Sequence, residues 1–316
     1  MTRFEHRPVM VDRIVELLGP VPPGVAVDAT VGGGGHARAI LAAHEHLRVV
    51  GIDQDDEALA AATEALAAFG DRVSLHHVRF DRLPDVLEEL EHDGVSAVLF
   101  DLGVSSPQFD RRERGFSYRQ DAPLDMRMDR RGSRTAADVV NSYTEAELEA
   151  VLRRYGDERY ARRIARAIVN ARPVETTGEL AEAIGTAIPA PARRRRGHPA
   201  RRTFQAIRIE VNEEIAILAP SVDAAIDVLV PGGRCAVLAY HSGEDRIVKE
   251  RFREAATGGC TCPPGLPCQC GATPKVRLLR PGTWKPSSDE VAANPRAGSA
   301  RLRAVERLPH EEGGVT

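Results

Sequence analysis

Val25-Ala-Val-Asp28-Ala-Thr-Val-Gly32-Gly-Gly-Gly35-His36 and, further on, Val49-Val-Gly-Ile-Asp53 decide how this chain is read. An apolar run ending on an acid, four consecutive glycines, and a second apolar run ending on an acid form a strand–glycine loop–helix–strand unit. Open α/β sheets hold adenosine-containing cofactors on such a unit. Glycine lets the backbone approach the ligand, and the second acid accepts hydrogen bonds from ribose hydroxyls. A plain glycine-rich turn is the competing reading, and the spacing of Asp53 argues against it.

The identity of the cofactor turns on Asp28. Gly32-x-Gly34-x-x-Ala37 satisfies the relaxed dinucleotide fingerprint, which keeps a nicotinamide-dependent oxidoreductase in view. A pyrophosphate would sit at this helix N-terminus, where another negative charge four residues before the first glycine is unfavourable. S-adenosylmethionine carries no phosphate, but it does carry a sulfonium and an ammonium that carboxylates stabilise. Asp-x-x-x-Gly-x-Gly therefore suits the methyl donor better.

The surrounding chain is consistent with a large α/β domain. It has 316 residues, 42% of them hydrophobic, which is enough for one large or two ordinary cores. Apolar runs resembling a membrane span or a signal peptide are not seen, so a cytoplasmic protein is expected. The net charge of −3 does not announce a nucleic-acid binder. Lysine occurs only at Lys249, Lys275 and Lys285, so almost all positive charge is arginine. Five cysteines in a reducing compartment point to thiols or a metal site rather than a disulfide framework.

Strands are expected at 25–30, 48–53, 72–78 and 95–102, with helices at 8–18, 36–44, 55–69 and 83–91. Repeated β–α units imply a parallel sheet with right-handed crossovers. Residues 103–134 are polar and arginine-rich, and 135 to about 190 carry only helical signals, with starts near Thr144 and Thr177. The α/β pattern then resumes: a long helical stretch over 203–230 broken at Pro220, a turn at Pro231-Gly-Gly, a strand at 234–240, and a helix at 245–256. Two last strands are expected at 275–280 and 299–308, including an antiparallel edge. The expected organisation is a methyltransferase domain in two parts, 1–134 and 203–316, interrupted by a helical insertion at 135–202.

The fourth strand leads into Asp101-Leu-Gly-Val-Ser105-Ser106-Pro107-Gln108-Phe109. Ligands bind outside the carboxyl ends of such strands. Ser106-Pro-Gln-Phe109 resembles the Asp/Asn/Ser-Pro-Pro-aromatic loop of methyltransferases that modify exocyclic base amines, with Gln108 replacing the second proline. An amine conjugated to its ring is a poor nucleophile. Acceptors must hold its N–H groups so that its lone pair faces the methyl carbon. A proline turn after a strand is the alternative.

Further motifs are more specific: His6-x-Pro8-Val-Met10, Asp28-x-Thr-x-Gly-x-Gly34-Gly-His36, Asp101-Leu-Gly-Val-Ser-Ser-Pro-Gln108, Arg114-Gly-Phe-Ser117 and Pro123-Leu-Asp-Met-Arg-Met128. His198-Pro-Ala, Arg202-Thr-Phe-Gln-Ala-Ile-Arg208-Ile-x-Val-Asn212, His241-Ser-x-Glu-Asp-Arg-Ile-Val-Lys249 and Asn294-Pro-Arg-x-x-Ser-Ala-Arg301-Leu-Arg303 follow in order. Across nearly its whole length the chain resembles the bacterial 16S rRNA cytosine-N4 methyltransferases of the MraW/RsmH family.

The resemblance implies a Rossmann-like class I methyltransferase sheet with an all-helical insertion for substrate recognition. It also implies methyl transfer from S-adenosylmethionine to N4 of a cytidine in the decoding region of 16S rRNA, within the assembled small subunit. Cofactor contacts would be Gly34, Gly35, His36, Asp53 and Phe80. Asp101 and Gln108 would lie between the methionine end and the target amine, which Ser106, Pro107 and Gln108 would position. Gly243 stands where the family usually has leucine, and Gly298 where arginine is common. A non-catalytic RNA-binding or assembly factor on the same fold is the second reading.

Arg193-Arg194-Arg195-Arg196 with Arg201 and Arg202 forms a basic run suited to RNA phosphates, against the alternative of a solvated loop. Arg111, Arg112, Arg114 and Arg119 could extend that surface, and Phe109, Phe116 or Tyr118 could stack on a splayed base. Cys260-x-Cys262-(x)5-Cys268-x-Cys270 could bind zinc. The Cys-x-Cys spacing is tight for a zinc finger, so a reduced loop is favoured narrowly and no catalytic metal is expected. His241 is expected near the substrate cleft.

Overall fold

The computed structural model describes residues 7–105, 108–109, 111–190, 198–263 and 269–309. The chain divides into two compact units, one of residues 1–103 and 217–316 and one of residues 104–216.

The first unit is built on a seven-stranded sheet in the order β3-β2-β1-β4-β5-β7-β6. Its strands are β1 (Gly24–Asp28), β2 (Leu47–Asp53), β3 (Val73–His77), β4 (Val95–Asp101), β5 (Leu229–Ala239), β6 (Val276–Leu278) and β7 (Arg301–Arg307). The first five pair in parallel, and β7 runs antiparallel to both β5 and β6. This is the Rossmann-like methyltransferase sheet with an antiparallel edge.

Largely apolar, buried runs form β1, β2, β4 and the second half of β5 because helices cover both faces there. Val25 and Val27 of β1 enter one core with α4 (Leu83–Glu89), α10 (Glu214–Asp227, in the sheet unit from Ile217 on) and α11 (Ser242–Thr257). Ala26 enters the other core with α1 (Val11–Leu18), α2 (Gly35–Ala43) and α3 (Asp56–Leu66). The alternation follows from successive side chains pointing to opposite faces of a strand. A final short helix, α12 (Ser288–Ala293), precedes β7. Among the described residues, no helix is long and apolar enough to cross a membrane.

Two local expectations are corrected. Leu229 already pairs with Val95 while Arg234 pairs with Ala97, so β5 starts before Pro231-Gly-Gly and carries those residues as a bulge. Gly232 takes φ +79° there, a conformation that favours glycine. The helical stretch breaks at Glu213, which adopts φ 55°, and Pro220 lies inside the continuous α10. The corner is fixed by a two-pronged Arg208–Glu214 ion pair with both bonds at 2.8 Å.

The second unit contains α5 (Ala136–Ser142), α6 (Glu145–Gly156), α7 (Ala161–Asn170), α8 (Thr177–Ala187) and α9 (Arg201–Asn212). Capping boxes at Thr135/Asp138, Thr144/Glu147 and Thr176/Glu179 start α5, α6 and α8, each satisfying orphan N–H groups reciprocally.

This unit is wider than the expected 135–202 insertion. Phe116, Leu124, Met126 and Met128 enter its core from the preceding segment, and Phe204, Ile207 and Val211 enter from α9. Asn212 locks the two flanks together: its amide donates to Met126 O (2.8 Å) and its Oδ1 accepts from Met128 N (2.7 Å). Residues 104–134, polar in composition, are therefore tied into the helical core, and so are residues 203–216.

Candidate active site

Three adjacent strands end on an aspartate. β2 ends at Asp53, β1 at Asp28 and β4 at Asp101, so three carboxylates line one edge of the sheet around the glycine loop. That is the edge where open α/β sheets take ligands.

The loop is shaped by its glycines in two ways. Gly32 and Gly34 adopt φ +52° and +80°. Gly34 and Gly35 also admit neighbours. A Cβ on Gly35 would lie 2.5 Å from Pro8 Cγ, and one on Gly34 would lie 3.1 Å from Leu66 Cγ. The Pro8-Val-Met10 segment thus lies against the loop, and His36 Nε2 holds it at Val9 O (3.0 Å). His36 is 5% exposed.

Asp53 Oδ2 accepts from Gly32 N (2.8 Å) and Oδ1 from Asp55 N (2.9 Å), joining the end of β2 to the glycine loop. Burial pushes its carboxyl up to about 6 against these N–H groups, which favour the charged form. Burial pushes Asp28 higher, to about 7; His36 opposes the rise, and Asp101 adds to it. Asp28 Oδ1 accepts from Thr30 N at 3.3 Å. Asp28 Oδ2 is buried with no hydrogen-bond partner among the described residues.

Asp101 is held from three sides. Its N–H donates to Thr30 Oγ1 (2.6 Å), its Oδ1 accepts from the Tyr240 hydroxyl (2.7 Å), and its Oδ2 lies 3.5 Å from His36 Nδ1. Burial and the neighbouring Asp101 carboxylate push the Tyr240 phenol well above its usual range, so it stays a neutral donor. The reading of the sequence missed Tyr240 and Thr30. The available signal was Tyr240 directly following the apolar end of β5, at the same edge as Asp101.

The other anticipated residues, where described, are held by local packing and capping contacts. Phe80 is buried, meets Phe100 edge-on at 5.7 Å between ring centroids, and belongs to the core that includes α4. Gln108 is buried, and its Oε1 accepts from Ser105 N at 3.0 Å, closing a turn. Ser106 and Pro107 lie outside the described residues. His241, expected near the substrate cleft, caps α11: Nδ1 accepts from Gly243 N and Glu244 N, so its ring holds the helix start. Asp245 of the same motif is gripped by Arg303 (2.8 and 3.1 Å), which explains two of the quoted motifs as one brace.

The basic candidates divide. Arg201 and Arg202 are exposed, and Arg202 Nη1 donates to Asp157 O at 2.9 Å. Arg194, Arg195 and Arg196 lie outside the described residues. Arg114 is not a surface cation. It is 3% exposed and donates to Arg127 O and Met128 O, holding the segment that carries Met126. Arg112 donates to Asp121 O. Of the proposed stacking residues, Phe116 is buried in the helical core, Tyr118 stacks on His198 at 4.3 Å, and half-buried Phe109 meets Phe116 edge-on at 6.5 Å between ring centroids. Arg159, Arg162 and Arg163 are exposed around the start of α7. Cys260, Cys262 and Cys270 come together, while Cys268 lies outside the described residues.

The donor set fits a cationic, phosphate-free ligand. A buried carboxylate oxygen without a partner and two further acids at the same edge disfavour pyrophosphate and favour a sulfonium and an ammonium.

Comparison with known proteins agrees. Residues 3–308 match the family model described as the MraW methylase family. The chain is 54% identical over 309 residues to Ribosomal RNA small subunit methyltransferase H of Thermobifida fusca, covering 96% of this chain and 93% of that protein. It is 55% identical over 310 residues to the protein of that name from Acidothermus cellulolyticus (96% and 94% covered). The protein of that name from Symbiobacterium thermophilum is 54% identical over 313 residues (96% and 97% covered). With the sheet, the three strand-end acids and this similarity together, the chain belongs to the MraW methylase family and is an S-adenosylmethionine-dependent methyltransferase.

Proposed function

We propose that this enzyme methylates N4 of a cytidine in the decoding region of 16S rRNA, working in the cytoplasm on the small ribosomal subunit. The observation that carries the donor half of this reading is the row of aspartates ending β2, β1 and β4. The acceptor half rests on the motifs shared with the MraW/RsmH family and on relatives named as ribosomal RNA small subunit methyltransferases.

S-adenosylmethionine supplies an electrophilic methyl group on a sulfonium. The chain's own groups bind and orient. Asp53 accepts from the ribose hydroxyls while its backbone donors keep its carboxylate in place. Asp28 offers negative charge from a buried position, and its high pKa means that ligand binding must displace a proton near neutrality. Gly34, Gly35 and His36 shape the loop, and Phe80 backs the adenine side.

Asp101, fixed by Tyr240 and Thr30, accepts an N–H of the target amine and so aims its lone pair. Ser106, Pro107 and Gln108 provide the second acceptor, with Gln108 closing the turn at Ser105. A strong general base is not required, because the amine becomes acidic only as the methyl arrives. The helical unit recognises RNA: Arg201, Arg202 and the unit's other exposed arginines, with Arg194, Arg195 and Arg196, meet phosphates.

The test is methyl incorporation from labelled S-adenosylmethionine into ribosomal RNA of a strain lacking the modification, offered naked and as small subunits. Label at N4 of one cytidine, greater with subunits, is expected. Binding of RNA without incorporation on either substrate contradicts the proposal and returns the assembly-factor reading.

A further inference from the structure

We propose that Cys260, Cys262 and Cys270 hold one zinc ion, which takes the place of an apolar core for the segment joining α11 to β6. Their Sγ atoms all lie within 4.8 Å of one another, and those of Cys260 and Cys270 are 3.6 Å apart. A disulfide requires about 2.05 Å. Thiolates around one tetrahedral zinc, with Zn–S about 2.3 Å, stand about 3.8 Å from each other. The sulfurs are therefore spaced for sharing an ion rather than for bonding to each other. Gln269 N donates to Cys262 Sγ at 3.4 Å, the kind of support a metal-bound thiolate accepts.

The backbone has already closed the loop that brings them together. Gly258 ends α11 at φ +61°, and Thr273 backbone comes so close that a Cβ on Gly258 would lie 2.5 Å from it. Lys275 N donates to Ala255 O (2.8 Å) and Cys260 N to Thr257 O (3.1 Å). Both ends of the segment are pinned, which lowers the entropy cost of gathering ligands from each side.

Side-chain burial does not hold the segment. Between Phe252 and Val276, none of the described residues is buried. Small segments of this kind are commonly stabilised by a metal where a core is lacking.

The location excludes a catalytic role. α11 leaves the carboxyl end of β5 and runs back along the sheet. β6 is antiparallel to β7, which is antiparallel to β5, and Val276 pairs with Arg307 next to the Glu306–Arg234 pair at the amino half of β5. The thiols thus sit at the sheet edge opposite Asp28, Asp53 and Asp101. Their ion is structural.

The test uses the full chain, loaded with zinc under a thiol reductant and passed through a competing chelator before metal analysis. About one zinc per chain is expected, falling at least fivefold in Cys260→Ser and Cys270→Ser. Cobalt loading should give thiolate-to-metal charge-transfer absorption that these variants lose. Their affinity for S-adenosylmethionine should stay within about twofold of wild type, with a Tm lower by about 2–4 °C. The proposal is overturned by wild-type protein that binds S-adenosylmethionine but keeps no zinc, by equal zinc in the Cys260→Ser/Cys262→Ser/Cys270→Ser triple variant, or by an iron–sulfide chromophore instead.

Discussion

The sheet unit and the helical unit treat charge in opposite ways. At the sheet edge, acids are withdrawn from solvent or held by fixed donors: Asp53 by two backbone N–H groups, Asp101 by Tyr240, and Asp28 by burial at 2% exposure. In the helical unit, arginines such as Arg159, Arg162 and Arg163 stand in solvent on the rim of an apolar core. Buried carboxylates are costly unless a cation answers them, so the first arrangement is specific for a small cationic ligand. Exposed guanidinium groups cost little and act together on a polyanion. One unit selects a molecule, and the other gathers a surface.

Substitutions that attack one unit and spare the other sharpen this contrast. The largest effect is expected at Asp101. Asp101→Asn keeps the shape but weakens the acceptor, and turnover should fall about 100-fold with cofactor affinity changed far less. Single-turnover methylation beside calorimetry separates the two quantities. A matching loss of affinity would place Asp101 on the cofactor instead.

Asp53→Ala comes next. Removing a charged acceptor of about 1.5–3 kcal/mol should weaken S-adenosylmethionine binding about 10- to 100-fold, while RNA affinity in a filter-binding assay stays unchanged.

The helical unit should respond in a graded way. Replacing Arg159, Arg162 and Arg163 with glutamine should flatten the dependence of RNA affinity on salt by about two in log–log slope, and leave cofactor binding alone. An unchanged slope would remove these three from the RNA surface.

Much of this contrast was legible before the structure. Strand-end acids announce themselves because apolar runs that end on Asp28, Asp53 and Asp101 can face only one edge of a parallel sheet. The cap at Thr144 was legible for the same local reason, since it needs only its own next three residues, whereas the start read near Thr177 is capped one residue earlier by Thr176 and the cap at Thr135 was not read.

What failed depended on contacts distant in sequence. Arg114 read as a surface cation, yet it serves the backbone at Arg127 and Met128. Residues 104–134 read as part of the methyltransferase domain, yet Asn212 ties Met126 and Met128 into the helical core. Glu213 carries no sequence signal for the left-handed conformation that breaks the helix, whereas Pro220, the obvious breaker, does not interrupt it. Tyr240 has a signal in its place directly after the apolar end of β5, but its partner Asp101 is distant in sequence, at the end of β4.

The central claim is that a buried acid must be ionised to receive a cationic methyl donor. Asp28 is raised from 3.8 to about 7, so near pH 6.5 it is mostly protonated in the free protein and must release that proton on binding. Affinity should therefore rise with pH between about 6 and 7, below the range of about 7.7–8.0 where an α-amino group itself titrates. The direct measurement is calorimetry of S-adenosylmethionine binding at pH 6.5 in buffers of different ionisation enthalpy. About 0.5–0.8 proton released per cofactor is predicted for wild type, and less than about 0.3 for Asp28→Asn. Proton release that is absent in wild type, or equal in the two proteins, contradicts the account.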